Sequence, residues 1–264
     1  MTINGIDQET CSNCYSCIQV CPATLYKKME DGCVKFLTNQ FCIKCGHCVS
    51  ACPEDAIIRS DMDDVEDFPV GKKIEDFVEY GDLMNLFRAK RSLRRYKKEK
   101  IDEDSLNKIL QAIRYAPSGG NSRMWKFTLV SDQKKIEIFR ERIIEVVSKA
   151  NPQYGKSYQV KKKLGMDPIF FDAPHLLILY YPPNSLSNGI NSGIALTYGM
   201  LAAESIGIGS CWIGVAYRLL VDNEDLRNMF NIDGVVGGVI TLGYPAIKYY
   251  RFPSRLPLKI SKIE

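Results

Sequence analysis

The stretch Cys11-Ser12-Asn13-Cys14-Tyr15-Ser16-Cys17-Ile18-Gln19-Val20-Cys21-Pro22 decides how the N-terminal part of this chain folds, and Cys42-Ile43-Lys44-Cys45-Gly46-His47-Cys48-Val49-Ser50-Ala51-Cys52-Pro53 repeats it. Both runs read C-x2-C-x2-C-x3-C-P, so the segment is an internal duplication. Nine of the ten cysteines fall within residues 11–52, a clustering that favours metal over a disulfide scaffold. Three cysteines spaced by two residues let a tight loop wrap one iron–sulfur cubane while its backbone N–H groups offset the negative charge, and the fourth ligand must come from elsewhere. Zinc takes four ligands and would not require two complete four-cysteine runs with trailing prolines. Cys33 lies outside both runs and reads as a small core residue, and His47 as a loop residue. A module of this size has little core, so the clusters must supply much of its folding free energy.

The duplicated runs resemble bacterial two-cluster ferredoxins, in which the cysteine before proline serves the other cluster. The resemblance implies one 4Fe–4S cluster on Cys11, Cys14, Cys17 and Cys52 and a second on Cys42, Cys45, Cys48 and Cys21. It places a ferredoxin-like domain at residues 1–60.

Composition sets the outer limits. The chain has 264 residues, 45% hydrophobic, with a formal charge of +4, which suits a medium domain plus a small one and gives no argument for nucleic acid or an anionic membrane. The start, MTINGIDQET, lacks the basic and apolar regions of a signal peptide, and no apolar run is long enough to span a membrane, so a cytoplasmic location is expected. Residues 61–67, DMDDVED, carry five acids and are followed by Pro69 and Gly71, which marks 61–73 as a solvated linker and 74–264 as the second domain.

Within that domain Leu106, Ile109, Leu110 and Ile113 predict a helix after an Asp102 cap, Ile136, Phe139, Ile143 and Val147 a second, and Ile194, Tyr198, Leu201 and Ala202 a third. Strands are predicted at Trp125–Val130, His175–Tyr181, Ser210–Val215 and Val235–Leu242, which together imply a central sheet covered by helices on both faces. Neither G-x-G-x-x-G nor a Walker A motif occurs, and with two histidines a Ser–His–Asp triad is not signalled; His175 belongs to its strand.

Four segments in order resemble the FMN-dependent nitroreductase family, over residues 83–258. Lys90-Arg91-Ser92-Leu93-Arg94-Arg95-Tyr96 is similar to R-R-S-x-R-x-F/Y, with lysine standing where the family has its first arginine. Guanidinium forks and a hydroxyl suit a phosphate and the polar edge of a flavin. Ala116-Pro117-Ser118-Gly119-Gly120-Asn121-Ser122-Arg123-Met124-Trp125 is similar to A-P-S-x-x-N-x-Q-P-W, a turn that in the family completes the partner subunit's FMN site. Gly207-Ile208-Gly209-Ser210-Cys211-Trp212-Ile213-Gly214 is similar to G-L-G-T-C-W-I-G, where a main-chain N–H approaches flavin N5. The last is Arg251-Phe252-Pro253-Ser254-Arg255-Leu256-Pro257, similar to the closing basic motif.

The resemblance implies an α+β protein: a small ferredoxin-like domain, then a nitroreductase-like α/β/α sandwich on a mainly antiparallel sheet, dimeric. It implies FMN contacts from Lys90, Arg91, Ser92, Arg94, Pro117, Ser118, Asn121, Trp212, Ile213, Gly214, Arg251 and Arg255. FMN N5 is then the reactive centre, no side chain is catalytic, and Cys211 packs beside the flavin. The expected activity is electron transfer from an external donor, ferredoxin-like or NAD(P)H, through two 4Fe–4S clusters and FMN to a nitroaromatic, quinone or similar small acceptor. The alternative is an electron-transfer module serving a partner redox protein. Arg88–Lys100 holds eight basic residues, but it coincides with the FMN motif and is not read as a nucleic-acid site.

Overall fold

The computed structural model describes residues 2–61, 73–185 and 188–263. The chain divides into two compact units, one of Met1–Ile74 with Gly119–Ser122, the other of Glu75–Ser118 with Arg123–Glu264. The acidic linker expected at 61–73 falls mostly on residues 62–72, outside the described residues.

In the smaller unit β1 (Thr2–Ile6) pairs antiparallel with β4 (Ile57–Ser60), and β2 (Tyr26–Lys28) forms a hairpin with β3 (Val34–Phe36). Short helices α1 (Ser16–Val20) and α2 (His47–Ser50) each carry the third cysteine of a run. The duplication is repeated in the backbone. Positive φ occurs at Asn13, Tyr15 and Thr24 and again at Lys44, Gly46 and Asp55, each pair 31 residues apart. Left-handed residues at these points curl each loop tightly enough to turn successive cysteines inward. A small core of Ile3, Leu25, Tyr26, Val34, Val49 and Ile57 lies between the two strand pairs and the helices. Cys33 is half-exposed in the β2–β3 turn rather than in that core, because Asp31 and Met29 hold its backbone there. His47 opens α2 instead of lying in a loop, and it is exposed.

The larger unit is built on an antiparallel sheet ordered β5 (Lys126–Val130), β6 (His175–Tyr181), β8 (Val235–Gly243), β7 (Gly209–Trp212). Helix α3 (Tyr80–Ala89) leads into it. The β6 sequence HLLILYY has no polar alternation because both faces are covered. Leu176, Ile178 and Tyr180 meet α5 (Gln133–Ala150), α8 (Gly214–Asp222) and α9 (Glu224–Met229) through Phe139, Ile143, Leu220 and Leu226, while Leu177 and Leu179 meet α4 (Glu103–Arg114) and α7 (Asn188–Ser205) through Ile109, Ile113, Ala195 and Leu196. Helix α6 (Pro152–Lys163) packs on α5. Asp102 caps α4 through the Ser105 N–H at 2.8 Å, as its position predicts. No helix among the described residues is long and apolar enough to cross a membrane.

Two expectations are corrected. The face of α7 that enters the core runs through Asn191, Ser192, Ala195, Leu196 and Ala203, whereas Tyr198 of the expected stripe is exposed and Ile194, Leu201 and Ala202 are only partly buried. The reason is size: a Cβ on Gly199 would lie 2.7 Å from Ile113 Cδ1, so the small-residue side of α7 is the one that fits against α4. The strand expected at Ser210–Val215 ends at Trp212, because Gly214 already begins α8.

His175 is fully enclosed. Its Nε2 accepts the Ile101 N–H at 3.1 Å, so Nδ1 carries the proton and donates to Ser131 Oγ at 2.7 Å. Burial first, and then the charge of Lys100, lowers its pKa. The unfolded chain therefore binds a proton that the folded chain refuses, and stability present above the unfolded value is lost as pH falls below it. The urea midpoint of wild type should drop between about pH 7.5 and pH 5.5 by more than that of His175→Gln, and equal slopes would contradict this assignment.

Candidate functional site

The cysteine unit places its sulfurs by backbone donors as well as by spacing. Cys21 Sγ accepts the Leu25 N–H at 3.4 Å and Cys52 Sγ the Ala56 N–H at 3.3 Å, the same turn in both halves. One cavity is lined by Cys42, Cys45 and Cys48 of the second run together with Cys21 of the first, with Tyr26 and Phe36 in its wall. In the other group, burial and then the charges of Cys11 and Cys14 push the Cys17 thiol up to about 11, so a bound metal would be what holds this sulfur as a thiolate. The Tyr26 hydroxyl, buried in the same wall, has no partner in hydrogen-bond geometry among the described residues, which suits a sulfur-rich group in that cavity.

In the larger unit the basic segment is fixed to the edge of the sheet. Leu93 N–H donates to the Ser210 carbonyl of β7 at 3.0 Å, and Ser92 forms a bridge pair with Ser210. Gly209 makes the approach possible, since a Cβ there would sit 2.2 Å from Leu93 Cδ2. Lys90 turns inward: its Nζ donates to the carbonyls of Ser210, at 3.2 Å, and of Arg91, and lies 4.0 Å from Glu204. Burial lowers the Lys90 pKa and raises that of Glu204, with each charge partly offsetting the other's shift. Lys90, expected as an FMN contact, thus braces the backbone from which Arg91 projects.

Arg91 lines a cavity of about 370 Å³ with Arg88, Arg251, Tyr249, Tyr250 and Phe252, and with Glu204 as its acid. Its guanidinium lies over the Tyr249 ring, 5.8 Å from the centroid, while Arg94 lies over Phe171 at 5.9 Å. A larger open groove of about 710 Å³ along α5 and α9 contains no expected site residue.

The remaining expected residues divide. Pro117 is exposed, and Ser118 Oγ accepts the Arg123 N–H at 3.0 Å. Asn121 Nδ2 donates to the carbonyls of Ile43 and Lys44 at 3.0 and 2.8 Å, inside the smaller unit. Ile213 N–H is taken by the Val239 carbonyl at 2.9 Å, so the free main-chain donors begin at Gly214, on the first turn of α8, which no side chain caps. Trp212 lies over Gly238, where a Cβ would be 2.5 Å from its ring. Arg255 Nη1 donates to the Ser254 carbonyl at 2.9 Å, on an exposed tail.

Burial raises the Cys211 pKa against the lowering effects of Arg94, Ser92 and Lys90, so the group is a neutral thiol and not a nucleophile. The structure brings Arg91 and Arg251 to one cavity, while Lys90, Asn121 and Arg255 bond to backbone carbonyls. Arg88 and Tyr249, which none of the motif assignments names as contacts, line the same cavity. Their signals were the basic run that starts at Arg88 and the tyrosine pair beside Arg251. Three guanidinium groups beside aromatic rings fit a planar ligand that carries an anion.

If Cys21 serves the cavity in which it lies, full-length protein prepared anaerobically should hold about eight irons, and Cys21→Ala should lose the signal of the cluster on Cys42, Cys45 and Cys48. Iron analysis with EPR checks this, and loss confined to the Cys11–Cys17 run would overturn it.

Comparison with known proteins agrees with this geometry. Residues 87–244 match the nitroreductase family and residues 3–53 a 4Fe-4S dicluster domain. A Methanothermobacter thermautotrophicus protein with the provisional name NADH dehydrogenase/NAD(P)H nitroreductase is 30% identical over 172 residues, 62% of this chain and 78% of that protein. An iodotyrosine deiodinase of Thermotoga neapolitana is 27% identical over 136 residues, 48% of this chain and 71% of the relative. A Bacteroides fragilis nitroreductase crystallised with bound FMN is 29% identical, with a TM-score of 0.59, over 69% of this chain and 99% of that one. With its family match covering more than half of its length, the chain belongs to the nitroreductase family, and its cysteine-rich unit is a 4Fe–4S dicluster domain.

Proposed function

We propose that the protein is an FMN-dependent oxidoreductase that takes electrons from an external donor through its two 4Fe–4S clusters to FMN, and delivers them to a nitroaromatic, quinone or similar electrophilic acceptor. One observation carries the reading: two complete cluster-binding runs share a chain with a nitroreductase-family domain whose Arg91 and Arg251 line one cavity. FMN, when bound, accepts electrons singly and passes them on in pairs, a conversion that one-electron clusters do not make. The chain's own residues bind and orient. Arg91, Arg251 and Arg88 would hold the phosphate, Ser92 and Arg94 the polar edge, and the first N–H groups of α8 the ring beside Trp212. Neither Cys211 nor the buried Tyr96, whose hydroxyl is bonded to Thr241 Oγ1 at 2.7 Å, supplies a free acid or base. A cytoplasmic location is supported by the demand for eight reduced thiols.

The donor is proposed to be a ferredoxin-like protein, with NAD(P)H as the competitor. Anaerobic stopped-flow mixing should show flavin reduction by reduced ferredoxin, lost when residues 1–72 are removed, while the chemically reduced shortened protein still turns over a nitroaromatic. Unchanged reduction by the protein donor after that removal, or no turnover of small acceptors by the intact chain, would overturn the reading and favour delivery to a partner redox protein.

A homodimer is part of the proposal. Helix α7 leaves Ile190 and Tyr198 exposed, and the C-terminal tail leaves Leu256, Leu258, Ile260 and Ile263 almost bare, an apolar surface that a second copy would cover. Sedimentation should give twice the chain mass of 29.9 kDa, and Ile190→Glu with Tyr198→Glu should shift it toward monomer with loss of FMN. A wild-type monomer that keeps full FMN would refute the dimer.

A further inference from the structure

We propose that the Tyr26 hydroxyl donates a hydrogen bond to a sulfur of the cluster that Cys21, Cys42, Cys45 and Cys48 ligate and thereby raises the reduction potential of that cluster, making the two clusters unequal. The duplication itself shows the asymmetry. Cys21-Pro22-Ala23-Thr24-Leu25-Tyr26 and Cys52-Pro53-Glu54-Asp55-Ala56-Ile57 occupy equivalent positions, 31 residues apart, and both final residues are core, 5% and 3% exposed. The second half therefore satisfies this position with a hydrocarbon. The first half puts a phenol there, whose polar atom has to be answered inside the protein.

No group among the described residues answers it in hydrogen-bond geometry. The ring is held in place by Phe36, its hairpin partner, with centroids 5.2 Å apart. It forms part of the wall of the cavity that Cys21, Cys42, Cys45 and Cys48 line. Reduction adds negative charge to a cluster, so a donor to one of its sulfurs stabilises the reduced form more than the oxidised form and raises the potential. Ile57 makes no such contribution in the other half. The inference rests on the cluster assignment and not on the identity of donor or acceptor.

The test is an EPR-monitored redox titration of the full-length, cluster-loaded protein, comparing wild type with Tyr26→Phe and Tyr26→Ile. Both variants remove the hydroxyl, and isoleucine is the residue already accepted at position 57. Iron content should be unchanged. One midpoint should fall by about a tenfold change in the reduced-to-oxidised ratio, ~59 mV for a one-electron couple, with the other midpoint unmoved. A Cys45→Ser protein identifies the signal, since the midpoint that moves should belong to the cluster this replacement alters. Unchanged midpoints at full iron, equal shifts in both clusters, or a shift in the cluster that Cys45→Ser leaves intact would each overturn the proposal.

Discussion

Strand β6 packs hydrocarbon on both faces, and the arrangement of the larger unit follows from that. Leu176 and Ile178 point into one apolar layer and Leu177 and Leu179 into the other, so helices must cover the sheet on both sides. With β5 and β8 flanking β6, β7 is left at the edge of the sheet. An edge strand keeps unpaired carbonyls, and the Ser210 carbonyl is the one that receives Leu93 N–H and Lys90 Nζ. The basic segment is therefore placed by an unfilled position in a ladder. Gly209, by lacking a side chain, lets Leu93 reach it.

Charge at the site is local. A formal charge of +4 over 264 residues says little, yet Arg88, Arg91 and Arg251 converge on one cavity while Lys90 is spent on backbone carbonyls and on Glu204. Arginine suits the exposed role because its fork bonds an anion in two places and its face lies on Tyr249. Lysine suits the buried role because a single ammonium can bond the Arg91 and Ser210 carbonyls at once.

The smaller unit obeys a different constraint. Its apolar core is slight, and burial raises the Cys17 thiol, a group that metal would hold as a thiolate. Paired left-handed residues and paired N–H to sulfur bonds make two copies of one wrapping loop. The copies differ in what fills the space around them, as Tyr26 against Ile57 illustrates.

Cysteine spacing, the apolar run of β6, the Asp102 cap and the order of the flavin-type motifs were legible in the sequence, because each is a local pattern whose chemistry depends on neighbours along the chain. Which face of α7 enters the core was not, since a helix apolar on several sides has no single stripe, and the Gly199 to Ile113 fit decided it. Residue type at Lys90, Asn121 and Ile213 named a donor but not its acceptor; Ser210, Ile43, Lys44 and Val239 supplied those from distant parts of the chain. The sequence by itself determined the family, the cysteine-rich dicluster unit and the buried strand at His175–Tyr181. Tertiary structure decided which donors remain free for a ligand, because a hydrogen-bonding group is committed by whatever the fold brings within 3 Å or so of it.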